Sequence, residues 1–240
     1  MPAEFKRIGD CGDLQEVLDR VWEAQERCKR ENPAYYEKWL KEQKEIERQR
    51  AIKRLEGGYS IPAVAATAIV DGWDEFGRKL ITPPCEVKMR SALACHERLI
   101  VVCGLIGTGK TIAACRCLGE QEQGLYIKAR SFAAWSAKMR EDRWRVDAVI
   151  EQPFIVLDEL AMEDERDRGK IEELLHERYE QKRITIALAN KSPREVLDIY
   201  GERVARRVFA KGRRIVADVV LCPGELKRQG KAHQKQGRLF

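Results

Sequence analysis

The chain of 240 residues has little of what marks a secreted, membrane-spanning or zinc-framed protein. It carries three histidines, and none of its eight cysteines (Cys11, Cys28, Cys85, Cys95, Cys103, Cys115, Cys117 and Cys222) belongs to a C-x-x-C pair. Zinc sites need clustered thiolates or imidazoles, so this scatter argues against zinc and fits buried thiols in reducing surroundings. The opening stretch, MPAEFKRIGD, lacks the apolar run of a signal peptide. The longest apolar stretch, IPAVAATAIV, is too short to cross a bilayer as a helix. A cytoplasmic location is therefore expected. Charge of one sign is also missing, since 45 Lys and Arg meet 39 Asp and Glu for a formal charge of +6. That balance permits contact with nucleic acid without demanding it. No internal repeat is visible, and low complexity is confined to the terminal LKRQGKAHQKQGRLF.

What is present suits a soluble globular chain: 44% hydrophobic and 35% charged residues, long enough for one good-sized core and a smaller appendage. In DLQEVLDRVWEAQERC, Leu14, Val17, Leu18, Val21 and Trp22 recur at helical spacing. Asn32-Pro33 breaks that helix, and a second, heavily charged one follows from AYYEKWL to an expected end at Gly57-Gly58. Trp22, Tyr35, Tyr36 and Trp39 read either as the core of a small helical domain or as a partner-binding patch. Residues 1–58 are thus expected to form a helical N-terminal domain, with 59–97 a linker and entry helix (CEVKMRSALACHE).

From residue 98 the pattern changes. RLIVVCG, LYIKA, FIVLDE, ITIALAN and RIVADVVL are short apolar runs of strand type. Helical segments fill the gaps at 111–119, 132–140, 168–181 and 194–209. Continuous apolar strands alternating with helices predict an α/β fold, a parallel five-stranded sheet flanked by helices over residues 98–226. A basic tail at 227–240 follows.

Three motifs carry chemistry. GLIGTGKT comprises Gly104, Leu105, Ile106, Gly107, Thr108, Gly109, Lys110 and Thr111, and matches G-x-x-x-x-G-K-[ST] between a strand and a helix. Its glycines let backbone N–H groups turn around phosphate oxygens at a helix N-terminus. Lys110 is suited to the β- and γ-phosphates of ATP, and the Thr111 hydroxyl to Mg²⁺. FIVLDEL ends a buried strand in Asp158-Glu159, at the sheet edge where such folds bind ligands. Asp158 suits the Mg²⁺ and Glu159 an attacking water. A second acid favours hydrolysis over transfer to a bound acceptor, the chemistry of a P-loop small-molecule kinase. ITIALAN ends in Asn190, which either helps to position that water or simply starts the turn before Ser192-Pro193.

In this order the motifs resemble an AAA+ ATPase, with Walker A at Gly104–Thr111, Walker B at Phe154–Glu159 and sensor 1 at Asn190. The stretch from LDEL to GERVARRV further resembles the DnaC/DnaI-type helicase loaders and the related IstB-type transposition ATPases. It carries Arg178-Tyr179 before the sensor strand and Gly201-Glu202-Arg203-Val204-Ala205-Arg206-Arg207-Val208 after it. The resemblance implies that Arg207 is an arginine finger acting on a neighbouring subunit's site, with Arg206 standing where the family has Asp or Ser. It aligns Arg228 with a sensor 2 arginine, although Leu226 and Lys227 replace the usual residues and Arg228 also suits the basic tail. Implied partners are ATP and Mg²⁺, a hexameric replicative DNA helicase gripped by the N-terminal domain, single-stranded DNA near Arg130 and Arg140, and further copies of the chain in a ring or spiral. The expected activity is ATP hydrolysis in helicase loading. The alternatives are an IstB-type transposition helper and, in another class, the small-molecule kinase.

Overall fold

The computed structural model describes residues 14–74, 77–200 and 215–216. The chain divides into two compact units, Met1–Ala51 and Ile52–Phe240. In the first, helix α1 (Leu14–Glu31) meets helix α2 (Pro33–Tyr59) at Asn32. Asn32 caps α2 by accepting the Tyr35 N–H at 3.2 Å on its side chain, and Pro33 occupies the first helical position, where a missing donor costs nothing. The Tyr36 and Trp39 rings lie 5.8 Å apart beside Val21 and Cys28. None of the described residues 16–51 is buried. The reading of Trp22, Tyr35, Tyr36 and Trp39 as a closed core is therefore not what forms. Two helices offer each other one seam, and a seam cannot surround a side chain.

Helix α2 runs past the expected stop at Gly57-Gly58 to Tyr59. Neither glycine takes a positive φ; the chain turns instead at Ser60, φ 56°. The last turn is held by Ile52 and Tyr59, both buried in the second unit. There helix α3 (Ala63–Asp71) follows, closed by Gly72 at φ 74° donating to the Ala68 carbonyl. Helix α4 (Pro84–Ala94) comes next. The alanine-rich α3 shows no clear period in sequence and is not anticipated there. Its Ala65 and Ala66 enter the same core cluster as Cys85, Met89 and Ala92 of α4 and the sheet beneath. Tyr59, Ile61, Ala65, Ala66, Cys85, Met89 and Ala92, from the stretch expected as linker and entry helix, thus belong to the second unit's core.

The sheet is built from β1 (Leu99–Cys103), β2 (Leu125–Lys128), β3 (Phe154–Leu160) and β4 (Ile184–Ala189), all parallel in the order β2-β3-β4-β1. A two-residue strand β5 (Ile215–Val216) continues the order beside β1, pairing with Val102 and Cys103. The rest of RIVADVVL lies outside the described residues. Alternate strand residues enter two cores. Ile100, Val102, Val156, Ile186 and Leu188 face α5 (Lys110–Gly119), α3 and α4. Leu99, Val101, Ile155, Leu157 and Ala187 face α6 (Ala129–Ala137), α7 (Met139–Glu151) and α8 (Arg168–Glu180). Strands buried on both faces explain the unbroken apolar runs. The expected helix over 132–140 proves to be two, broken at Lys138 (φ −102°, ψ 41°).

One charged residue holds the back of this unit. Arg178 of α8 is fully buried, and its guanidinium donates to the carbonyls of Val149, Ile150, Gln152 and Ile184 and to Thr185 Oγ1 at 2.7–2.9 Å. It ties the end of α7 to the start of β4, at the sheet edge opposite Asp158.

Candidate functional site

Strand β1 ends buried at Cys103, and the loop 104–109 carries the chain into α5. Gly107 and Gly109 take φ of 84° and 79°, a left-handed conformation that a side chain resists. A Cβ on Gly109 would also stand 3.3 Å from Pro83 Cγ, so the conformation favours glycine there and the space is tight. Lys110 is buried, and its Nζ donates to the carbonyls of Gly104 (2.9 Å) and Leu105 (2.7 Å). Thr108 Oγ1 donates to the same Leu105 carbonyl at 2.9 Å. Burial pushes the Lys110 pKa down, and the Asp158 carboxylate partly offsets the shift. The ammonium thus sits inside the loop on weak carbonyl acceptors, which an anionic oxygen would improve on. The Leu105 and Ile106 side chains point out to solvent.

Across the sheet edge, β4 lies between β1 and β3, and β3 brings Asp158 to α5. Thr111 Oγ1 donates to Asp158 Oδ2 at 2.9 Å. An alcohol beside a carboxylate is a hard-oxygen pair of the kind Mg²⁺ takes, so the residues present fit that cation. Two further donors converge on Asp158: the Tyr126 hydroxyl on Oδ2 at 2.8 Å and the Glu159 N–H on Oδ1 at 2.7 Å. Burial and the Asp158 charge push the Tyr126 phenol well up, so it keeps its proton and is the donor. Glu159 sits at φ 59°, where the β3–β4 register slips, and its Oε1 accepts from Lys128 Nζ at 2.7 Å. Strand β2 therefore engages both acids, Tyr126 on one and Lys128 on the other. Sequence reading passed over both residues. The available signal was their i, i+2 spacing on a strand, which places them on one face.

Asn190 follows β4 directly and is exposed beside the end of β1, where the Gly104 N–H donates to the Ala189 carbonyl at 3.2 Å. Lys110, Thr111, Asp158, Glu159 and Asn190 are thus gathered at one sheet edge. A cleft beside the loop is lined by Lys79, Leu80, Ile81, Pro83, Gly107 and Ile112. It is walled by the stretch before α4, which lies in the segment expected as a linker. On the far side of β3, the Tyr200 hydroxyl accepts the Ala161 N–H at 3.0 Å and donates to buried Glu163. Arg203, Arg206, Arg207 and Arg228 lie outside the described residues, so the finger and sensor 2 expectations meet no geometry here. Among the described residues no cluster of three or more His, Cys, Asp or Glu could hold a metal, and no helix is long and apolar enough to cross a membrane.

No protein-family model matches the sequence, and neither does any protein of curated function. Solved structures do. A "putative primosome component" from Streptococcus pyogenes serotype M3 superposes with a TM-score of 0.51 at 16% identity, over 70% of this chain and 96% of that one. DnaI gives a TM-score of 0.47 at 14% identity, over 58% of this chain and 82% of that one. DnaA from Aquifex aeolicus bound to AMPPCP gives 0.47 at 16% identity, over 67% of this chain and 54% of that one. The chain spans about half the length of the DnaA structures of this kind. At such identities the likeness is one of fold. This is an α/β fold with a parallel sheet of four strands flanked by helices, shared with the Streptococcus protein.

Proposed function

We propose that the chain is an AAA+ ATPase of the DnaC/DnaI helicase-loader type, which binds ATP with Mg²⁺ and hydrolyses it in an assembly of several copies. The observation that carries this reading is the 2.9 Å bond from Thr111 to Asp158, which joins the loop motif to the acidic strand end across 47 residues. On this reading the loop 104–109 and Lys110 take the phosphates, and the cleft at Leu80, Pro83 and Ile112 takes the base. Thr111 and Asp158 hold the Mg²⁺, which neutralises phosphate charge when bound. Glu159 directs a water at the γ-phosphate, and Asn190 steadies it. Arg207 serves a neighbouring copy and Arg228 its own site, and β5 completes a five-stranded sheet. Residues 1–58 grip a hexameric replicative helicase, 98–226 form the ATPase domain, and the whole works in the cytoplasm.

Single-stranded DNA is the proposed further partner, along α6 and α7. Support comes from Arg145, whose guanidinium lies 5.3 Å from the Trp135 ring centre and 5.1 Å from that of Trp144. Trp144 is 66% exposed and offers a stacking face of the sort single strands use.

Binding of a fluorescent ATP analogue with Mg²⁺ tests the core of the reading. Lys110→Ala should abolish it, and Glu159→Gln should keep binding while losing hydrolysis. A wild-type chain that binds no Mg²⁺-nucleotide would end the proposal. In the assembled state, comparing Arg206→Ala with Arg207→Ala identifies the finger. Indifference of a monomeric activity to both would favour a small-molecule kinase, and co-purification of a transposase instead of a helicase an IstB-type helper.

A further inference from the structure

We propose that Tyr126 is a positioning residue of the magnesium site, its hydroxyl holding the Asp158 carboxylate in the orientation that receives the Mg²⁺-nucleotide. The inference rests on the nucleotide reading above and adds a residue that no Walker motif contains.

The first ground is the company Tyr126 keeps. It belongs to the apolar cluster of Cys115, Leu118, Phe154 and Val156, where a phenylalanine would fill the same space. Burying a hydroxyl among such groups is unfavourable unless it is paired. Here its partner is the Oδ2 of Asp158, at 2.8 Å, with the two residues 7% and 8% exposed. The extra oxygen therefore serves the carboxylate and not the packing.

The second ground is strand geometry. Strands β2 and β3 are parallel neighbours with Tyr126 opposite Val156 and Lys128 opposite Asp158. Side chains two apart on a strand share a face. Tyr126 thus stands on the α5 side of the sheet, one step back from Asp158, and its para-hydroxyl reaches forward to the acid. The backbone of two hydrogen-bonded parallel strands fixes this donor, whereas a loop could not.

The third ground is a division of labour on Oδ2. Thr111 and Tyr126 both donate to that oxygen. Thr111 is also the hydroxyl assigned to the cation, so its hold on the carboxylate changes with occupancy. Tyr126 has no such second duty. It keeps one donor on Oδ2 in either state, while the Glu159 N–H holds Oδ1. The carboxylate plane is thereby set before the ligand arrives, which is the arrangement preorganised sites use.

The test is Tyr126→Phe in the full chain, with a fluorescent ATP analogue titrated in EDTA and across a Mg²⁺ series. The Mg²⁺ concentration for half-maximal binding is expected to rise about tenfold, equivalent to ~1.4 kcal/mol, with affinity in EDTA within about twofold of wild type. Mn²⁺ occupancy of the nucleotide complex, read by electron paramagnetic resonance, should fall in parallel. An unchanged Mg²⁺ dependence in the variant, with the wild type binding normally, overturns the proposal. So does an equal loss of affinity with and without Mg²⁺, which would mark a merely structural hydroxyl. A wild type that binds nucleotide with no Mg²⁺ response instead removes the magnesium reading, and this inference with it.

Discussion

Arg178→Met removes the one charged side chain among the described residues that is buried without any exposure, and replaces it with an apolar chain of similar length. The carbonyls of Val149, Gln152 and Ile184 and the Thr185 hydroxyl lose this donor at once, while the Ile150 carbonyl keeps one from Arg183 Nη1. Each buried acceptor left unpaired costs on the order of 1–3 kcal/mol, and removing the buried guanidinium returns its own desolvation cost. The net expected loss is about 4 kcal/mol, in the range found when one partner of a buried charged network is deleted. For a unit of this size 1 kcal/mol corresponds to ~2–4 °C, so the melting temperature should fall by ~8–16 °C. Arg178→Lys keeps the charge but offers three donors from one point, and should lose about half as much. Circular dichroism melts measure both. Because these contacts lie at the start of β4, nucleotide affinity measured well below the melt should stay at the wild-type level. A methionine variant melting within ~3 °C of wild type would refute the assignment of Arg178 as the staple between α7 and β4. Loss of affinity without loss of stability would refute it too.

Lys128→Met should leave nucleotide binding intact and raise basal hydrolysis up to about fivefold, because the half-exposed pair that holds Glu159 is worth no more than ~1 kcal/mol. Slower hydrolysis would show that Lys128 assists the proposed water attack instead of detaining Glu159. Gly109→Ala forces a side chain into φ 79° and against Pro83, and should weaken Mg²⁺-nucleotide binding at least about tenfold by the same fluorescence titration. Burial pushes the thiols of Cys85 and Cys115 up and that of Cys117 up to about 11, so all three stay protonated at pH 8. Iodoacetamide should label exposed Cys95 in the native protein and spare those three, as read by peptide mass mapping; native labelling of Cys115 would contradict its burial.

What sequence reading caught and what it missed divide along the range of the interaction. The loop 104–109 and the pair Asp158-Glu159 were legible because their chemistry is written in consecutive residues, each at the end of a run too apolar to be anything but a buried strand. Arg178 was legible as a family position but not as a staple, since its acceptors are four carbonyls that every residue owns and no sequence prints. Tyr126 was illegible for a different reason. Its meaning depends on β2 lying next to β3, and the order β2-β3-β4-β1 follows from crossovers rather than from chain order. Once that neighbour relation is given, the rest is arithmetic: parallel pairing sets Lys128 opposite Asp158, period two sets Tyr126 on the same face, and the only polar atom of its ring must find the acid. The same reasoning applies to the stretch before α4. Its residues hold no motif, yet Pro83 meets Gly109 because both crowd the start of α5. Residues that serve a P-loop from outside the motif are therefore to be sought by strand adjacency, two positions at a time, along the strand that flanks the acidic one.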